Sequence, residues 1–455
     1  MRKEWMVALL GAVMLGACGG DDDGGTVGVA DLGVDGGGER DLGGNTDLGG
    51  ADLGGERDLG GVDMGGRDLG GPDLGSDDLG AGDLGMDLGG DDLGGADMGI
   101  DMGAVPCDPD ARPFGGGLGT EASPHLVCDV AQLDAIRTPG NEGLAYVLED
   151  DLDLAELGAP WVPLPSFAGT LDGRGHVVFG FEATGRSRYA LIDTLSGTVR
   201  DLSLADVDIA GSAELTTFAV ETSSGARLEN VLASGRIQVS GQSAAGIVLT
   251  VRDGVTVDGA AFVGDIVQTS SGANGFVGGI ARAVLGGGVL RRVVVRGAIT
   301  SGRSKLGGIV SDLTGTVEQC VSAVRMETGG GTGGIAGVVI GDASVRDCVV
   351  RGSFSSVSNT GGVHGLVFAL GAPTFERIVS AVSFDGAGGD AIGRTVPGAS
   401  FTDVFFDADA TPGPSAIAAA TALTNAELGS STEARLAGLA APTWVREDGR
   451  LPRLA

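Results

Sequence analysis

A four-residue pattern recurs eight times along the second half of the chain: an aliphatic or aromatic residue, two mostly polar residues, and then a small or apolar one. The copies start at Val199, Leu228, Val257, Leu290, Val317, Val345, Phe375 and Phe401. Their spacings run from 26 to 33 residues, which is typical of a solenoid, whose units bury their apolar faces by stacking on one another. This repeat constrains the fold more than any other feature of the sequence.

A second mark follows the first by 17 to 22 residues in most periods. It is Gly246-Ile247, Gly279-Ile280, Gly308-Ile309, Gly334-Ile335 and Gly362-Val363. Three short strands and three turns account for a period of about 29 residues. The sequence therefore predicts an all-β parallel β-helix, and the aromatic content of only 4% agrees with a narrow core filled by Val, Ile and Leu.

The first 18 residues predict an export signal. Two basic residues precede an apolar run from Met6 to Ala17 that is too short to span a bilayer as a stable anchor. The end of this run, Leu15-Gly16-Ala17-Cys18, resembles the lipobox of bacterial lipoproteins, in which the cysteine is acylated; an ordinary signal peptide is the alternative. We expect a lipid anchor on Cys18, and Gly19 after it favours the outer membrane or cell surface.

Residues 19–103 carry 20 Asp, 2 Glu and 3 Arg, and repeat Asp-Leu-Gly or Asp-Met-Gly fourteen times. A pentapeptide-repeat β-helix and a calcium roll are the structured alternatives, but the spacing slips and the nonapeptide of a calcium roll is absent. One Leu in five residues cannot offset the entropy cost of ordering so many glycines. We therefore predict a disordered acidic spacer that self-repels.

The remaining chain divides into an N-terminal cap over residues 104–165, the β-helix over 166–410 and a C-terminal cap over 411–455. The net charge of −32 offers no basic surface for a phosphate backbone, so nucleic acid is not expected as a partner. The expected partners are the membrane, through the lipid, and a surface glycan or protein that meets a monomeric body.

Export places the other four cysteines in an oxidising compartment. Cys107 and Cys128 close a short Gly/Pro-rich loop and are expected to form a disulfide. Cys320 and Cys348 occupy the same position in successive repeats, so they are expected to stack on neighbouring parallel strands. Parallel side-chain directions suit a disulfide poorly, which favours a pair of buried thiols.

Several segments resemble bacterial surface proteins with GLUG-type repeats. They are Gln132-Leu133-Asp134-Ala135-Ile136, Asp151-Leu152-Asp153-Leu154, Gly169 to His176, the Gly-Gly-Ile repeats, and the closing Trp444 to Pro452. The resemblance covers about residues 112–455, with a degenerate glycine pattern. It implies a right-handed parallel β-helix in an adhesin-like exported protein.

β-Helices also carry polysaccharide lyases and hydrolases, whose chemistry needs clustered carboxylates. Polar residues that share one register, Asp201, Asn230, Gln319, Asp347 and Asp403, are interrupted by Gly259, Arg292 and Arg377, which favours a structural ladder at a bend. Asp172 and His176 lie in a turn motif, and Asp150, Asp151 and Asp153 fit a solvated strand face. His125, His176 and His364 lack metal-ligand spacing.

No catalytic, cofactor-binding or metal-binding residue is therefore predicted, and a cofactor is not expected. The sequence favours a non-enzymatic, lipid-anchored protein that presents a β-helix for adhesion or envelope interaction. A polysaccharide lyase or glycoside hydrolase and a purely structural envelope component are the alternatives.

Overall fold

The computed structural model describes residues 107–454, apart from 270–274, 303–304, 357–359, 369–370, 386–388, 394–397, 412–414, 441 and 443. The predicted signal peptide, Cys18 and the acidic spacer lie outside the described residues. The described chain is an all-β solenoid of about eight turns with about 28 residues in each. The prediction of a parallel β-helix is confirmed.

The coils contribute strands to three walls, and the strands of successive coils pair in parallel. The first wall consists of Thr198–Leu215, Arg227–Val239, Thr256–Asp258, Ala261–Gln268, Val289–Ser301, Thr316–Thr328, Ser344–Ser356, Thr374–Asp385 and Ser400–Asp407. The second wall consists of Ser243–Ala245, Phe276–Gly278, Lys305–Gly307, Thr332–Gly333, Thr360–Gly361 and Gly389–Asp390. The third wall consists of Ile192–Leu195, Ala219–Thr222, Val248–Val251, Ala281–Val284, Val310–Leu313, Ala336–Ile340 and His364–Phe368.

The repeated pattern of the sequence corresponds to one inward row of the first wall. Its apolar first residues pair with one another from coil to coil, from Val199 through Val317 to Phe401. All of them up to Phe375 are fully buried, and Phe401 is partly buried. Burying such a side chain contributes about 1.5–3 kcal/mol, so the row is a main source of stability.

The first wall bends at the third residue of each repeat, and we call this bend the left-handed corner. Its residues are Asp201, Asn230, Gly259, Arg292, Gln319, Asp347, Arg377 and Asp403, and their φ angles lie between 49° and 72°. Left-handed backbone costs roughly 1–2 kcal/mol for most residues and less for Gly, Asn and Asp. The polar residues that share this register therefore mark a bend, as the sequence predicted.

The second and third walls meet at a corner that requires glycine. A Cβ atom on Gly278 would lie 1.8 Å from the carbonyl oxygen of Ala281. A Cβ atom on Gly279 would lie 2.1 Å from the carbonyl oxygen of Gly308 in the next coil. Ile280, which follows, is fully buried in the core. The Gly-Ile marks of the sequence are thus the places where the backbone has no room for a side chain.

The N-terminal part of the described chain extends the solenoid. Its elements are the strands His125–Val127, Ala145–Leu148, Leu152–Asp153, Thr170–Asp172, Val177–Phe179 and Glu182–Tyr189, the α-helix Val130–Ala135 and the 3₁₀ helix Leu154–Leu157. Parallel pairing already begins between His125–Val127 and Ala145–Leu148. Asp129 caps the α-helix by accepting a hydrogen bond from the Gln132 amide at 2.8 Å.

The C-terminal segment 421–454, here called the C-terminal strap, packs along the outside of the first wall. Its elements are the strand Thr421–Leu423, the α-helix Asn425–Leu428, the 3₁₀ helix Ala434–Leu436 and the antiparallel pair Trp444–Val445 and Arg453–Leu454. Its apolar side chains cover an outward row formed by Val294, Val321, Val349, Val379 and Phe405. The strap therefore covers a lateral face of the solenoid.

Both cysteine pairs form disulfides in the structure. Cys107 is bonded to Cys128, with Cα atoms 5.8 Å apart. Cys320 and Cys348 lie directly opposite each other on neighbouring coils, with Cα atoms 4.6 Å apart, and are also bonded. The stacking of this second pair follows from the repeat register. The structure differs from the interpretation as two thiols, because the 4.6 Å coil spacing brings the two sulfur atoms within bonding reach.

A charged groove as the candidate functional site

Charged side chains form an outward row directly before the left-handed corner, and we call this row the charged column. Parallel pairing places its members opposite one another in the order Asp172, Arg200, Glu229, Asp258, Arg291, Glu318, Arg346 and Glu376. Charge alternates along the column except between Glu229 and Asp258. Opposite charges on facing positions of neighbouring strands stabilise pairing by roughly 0.2–1 kcal/mol each.

The arginines of the column are held by carboxylates that lie beneath them. Arg346 donates from Nε to Oε2 of Glu318 at 2.6 Å, and its Nη2 donates to the same oxygen. Arg291 contacts Asp258 Oδ2 in the same way, with Nε at 3.1 Å. The side chains of Glu318 and Asp258 are 13% and 9% exposed, whereas those of Arg346 and Arg291 are 47% and 45% exposed. In these two ion pairs the outer charge is therefore the cation.

The left-handed corner adds two further arginines to this surface. Arg292 donates from Nε to Asp258 Oδ1 at 2.5 Å. Arg377 donates from Nε and Nη2 to the two carboxylate oxygens of Asp347, at 2.6 and 2.8 Å, and its Nη1 donates to Glu376. Such a bidentate pair fixes the plane of a guanidinium group.

Together the column and the corner line an open groove of about 480 Å³ on the side of the solenoid. The lining residues are Arg291, Arg292, Glu318, Gln319, Arg346, Asp347 and Arg377. They come from four successive coils, and no aromatic residue is among them. The groove is thus a polar surface that runs parallel to the axis of the solenoid.

Hydrogen bonds set the charge states in the groove. Burial on its own would raise the pKa of Asp258, but the hydrogen bonds from Arg292 and Arg291 outweigh burial and lower it. The hydrogen bond to Asp347 raises the pKa of the Arg377 guanidinium above its ordinary value. Glu318 and Asp347, the carboxylates that line the groove, each accept hydrogen bonds from an arginine.

The other residues considered in the sequence lie apart from the groove lining or serve the backbone. Asn230 donates from Nδ2 to Asp201 at 3.0 Å along the corner, and Asp172 accepts from Arg200 Nε at 3.0 Å. Asp151 accepts from the Val177 amide at 2.8 Å, while Asp153 caps the 3₁₀ helix. Asp150 Oδ1 accepts a hydrogen bond from the Asp151 amide at 2.8 Å, and His176 Nδ1 lies 3.2 Å from Asp151 Oδ1.

The sequence did not indicate that two titratable side chains, those of His364 and Asp312, are buried. The imidazole of His364 is fully buried beside the stacked rings of Phe375 and Phe401, and burial lowers its pKa to about 4. Asp312 lies on the third wall near Arg282, and burial raises its pKa to about 6. His364 follows the mark Gly362-Val363 by one residue, and this register position could have signalled an inward side chain. No comparable signal marks Asp312.

The described residues contain no group of three or more His, Cys, Asp or Glu side chains placed to hold a metal ion. Within the same part of the chain, no helix is both long and apolar enough to cross a bilayer.

Comparison with known proteins finds relatives that match only part of the chain. No protein-family model matches it, so the GLUG-type resemblance stays a prediction. A stretch of 138 residues is 32% identical to halomucin of Haloquadratum walsbyi and covers 27% of this chain and 2% of halomucin. A stretch of 207 residues is 24% identical to the immunoglobulin A1 protease of Streptococcus sanguinis and covers 44% of this chain and 9% of the protease. The chain thus spans a small fraction of these relatives.

Among solved structures, a Bacteroides ovatus protein assigned as an immunoglobulin A1 protease shares 17% identity at a TM-score of 0.41. The match covers 75% of this chain and 95% of that one, but its low TM-score carries no argument. The names of the relatives nevertheless correct the expectation of a non-enzymatic protein. Part of the chain is similar to part of a protease, so the chain can no longer be set apart from enzymes on sequence grounds.

Proposed function

We propose that this chain is a lipid-anchored surface protein that holds its β-helix away from the membrane and engages a ligand by contact along the side of the solenoid. The charged groove carries the proposal, because it is an open polar surface formed by four successive coils. The lipobox ending at Cys18 supports the anchor, and Gly19 after it favours the outer membrane or cell surface. The acidic spacer supplies reach, on the order of 50 Å for a Gly-rich coil of its length.

Adhesion of this kind becomes strong when many copies of the chain bind at the same time. The groove offers charge-assisted hydrogen bonds at a solvent-exposed site, where each contributes little. Many copies on one membrane that meet many ligands on one surface raise the effective concentration of each further contact. The anchor and spacer are therefore parts of the proposed function.

The test compares cells that display the full chain with cells that display a chain lacking residues 19–103. At equal surface density, the full chain should give stronger adhesion to a partner surface than the shortened chain, and each purified body should unfold at the same urea concentration. Equal adhesion of the two cell types would contradict the role of the spacer. Adhesion no greater than that of cells without the chain would contradict the proposed function.

A proteolytic surface protein is the second candidate, and it rests on the names of the streptococcal relatives. In that case the β-helix would be one module of the activity. Incubation of the purified chain with immunoglobulin A1, followed by electrophoresis of the heavy chain, tests it: a defined new fragment supports proteolysis, and an intact heavy chain after prolonged incubation opposes it.

A further inference from the structure

The charged groove presents guanidinium groups whose orientation is fixed by the protein. Arg291 and Arg346 both use the Nε and Nη2 side of the guanidinium group to contact a shielded carboxylate. Within the described part of the chain, Nη1 of these two arginines has no hydrogen-bond partner. The end of each guanidinium group therefore remains available to an oxyanion of a ligand, and little side-chain entropy is lost when it binds.

The spacing of these two arginines is set by the solenoid. Arg291 pairs with Glu318, and Glu318 pairs with Arg346, so the two arginines lie two coils apart in one row. With a coil spacing of 4.6 Å, measured between Cys320 and Cys348, the separation is about 9–10 Å. Glu318 lies between them and would repel an anionic group bound at the intermediate position.

This pattern selects a ligand that carries anionic groups at alternate units. Side chains on one face of an extended peptide repeat at about 6.6–6.8 Å, which does not match two coils. A polyproline II peptide repeats at about 9.3 Å, but its recognition uses grooves lined by aromatic residues, and aromatic residues are absent from the lining of this groove. A polysaccharide with one carboxylate or sulfate per disaccharide satisfies both the spacing and the polar lining.

We infer that the charged groove binds an acidic polysaccharide whose anionic groups occur on alternate sugars, with Arg291 and Arg346 each contacting one oxyanion. The inference rests on the proposed function and names its ligand class. Arg292, half-exposed beside Arg291, adds a third donor at the same end of the groove. The negative charge of the whole chain opposes such a ligand at long range, but salt screens that repulsion beyond about 8 Å at physiological ionic strength.

The experiment measures binding of the chain from residue 19 to 455 to immobilised polymers. The probes are hyaluronan and unsulfated chondroitin, which carry a carboxylate on alternate sugars, polygalacturonate, which carries one on every sugar, poly-glutamate and neutral dextran. We expect hyaluronan and unsulfated chondroitin to bind at least tenfold more tightly than the other three. Equal binding of polygalacturonate or poly-glutamate would overturn the spacing argument, and no binding of any acidic polysaccharide would overturn the inference.

The variants identify the site. Arg291→Gln with Arg346→Gln should weaken hyaluronan binding at least tenfold, whereas Arg236→Gln with Arg325→Gln, two exposed arginines elsewhere on the first wall, should leave it unchanged. Arg291→Gln with Arg346→Gln leaves carboxylates without an arginine partner. A second variant, Arg346→Gln with Glu318→Gln, removes one guanidinium group together with its carboxylate, and it should still bind hyaluronan more weakly than the wild type.

Unchanged binding of folded variants would overturn the assignment to this groove. Cells that display the chain and adhere, although the purified chain binds none of the polymers, would overturn the inference and leave the proposed function standing.

Discussion

The buried imidazole of His364 makes the stability of the solenoid depend on pH in a direction that can be measured. His364 pairs with Ala336 on the third wall, and its ring lies 4.9 Å from the ring of Phe375 and 6.1 Å from that of Phe401. Within the described residues neither ring nitrogen has a hydrogen-bond partner. Burial lowers the pKa of His364 from 6.5 to about 4, despite the opposing effect of Asp390.

The sign and size of the effect follow from proton linkage. Between pH 6.5 and about pH 4 the unfolded chain takes up a proton that the folded chain refuses, so the free energy of unfolding falls as the pH falls. One pKa unit corresponds to about 1.36 kcal/mol, which gives a loss of about 2 kcal/mol by pH 5 and about 3 kcal/mol at most below pH 4. Well above pH 6.5, where the imidazole is neutral in both the folded and the unfolded chain, His364 contributes no pH dependence.

The assay is urea unfolding of the chain from residue 19 to 455 at pH 7.5 and pH 5. We expect the wild type to lose about 2 kcal/mol more between these pH values than His364→Leu, which cannot titrate. His176→Gln, at a surface turn, serves as the control for removing a histidine and should keep the wild-type difference. If the pH dependence of His364→Leu runs parallel to that of the wild type, the folded chain accepts the proton and the reasoning is wrong.

Three further perturbations follow from the structure, and a fourth follows from the sequence. Burial raises the pKa of Asp312 to about 6 in the folded chain, so between about pH 4 and pH 6 the unfolded chain releases a proton that the folded chain keeps, and the free energy of unfolding falls as the pH rises. In the same urea assay, Asp312→Asn should therefore be more stable than the wild type at pH 7.5, by up to about 3 kcal/mol, and should lose that advantage at pH 4. Gly308→Ala should cost about 3 kcal/mol or more, since its Cβ would lie 2.1 Å from the Gly334 carbonyl oxygen, whereas Gly143→Ala, with no atom within 4 Å, should stay within about 0.5 kcal/mol. Deleting residues 317–344, one whole period, should leave a soluble and shorter solenoid, and deleting half of that span should give aggregates because the inward face is misplaced. Cys18→Ser should move the protein from the membrane fraction to the soluble fraction or stop its processing, and retention after a high-pH wash would contradict the lipid anchor.

The architecture could be predicted because each coil repeats the same physical requirement. An inward Val or Leu such as Leu290, a polar residue at the left-handed corner, and glycine where the second and third walls meet recur at one period. These requirements recur because each coil meets the same neighbour: a Cβ atom on Gly279 would lie 2.1 Å from the Gly308 carbonyl oxygen of the next coil, and one on Gly308 would lie 2.1 Å from that of Gly334. The bend at Asp201 and its equivalents was accessible for the same reason.

The groove and the strap could not be predicted in full, although the repeat register places Glu318 beside Arg346 and Asp347 beside Arg377. The hydrogen bonds that shield these carboxylates and leave the guanidinium group of Arg346 exposed require the folded walls. Val349 and Val379 read as ordinary strand residues, and only the structure shows them beneath the C-terminal strap. The burial of Asp312 likewise arises from neighbouring coils.

The force needed to detach single cells measures whether adhesion arises from many weak contacts. Cells that display increasing densities of the full chain are held against a hyaluronan-coated surface and pulled away. We expect a detachment force that rises faster than in proportion to density and falls when the charged groove carries Arg291→Gln and Arg346→Gln. A force that stays at the level of cells without the chain at every density would show that the displayed chain does not adhere.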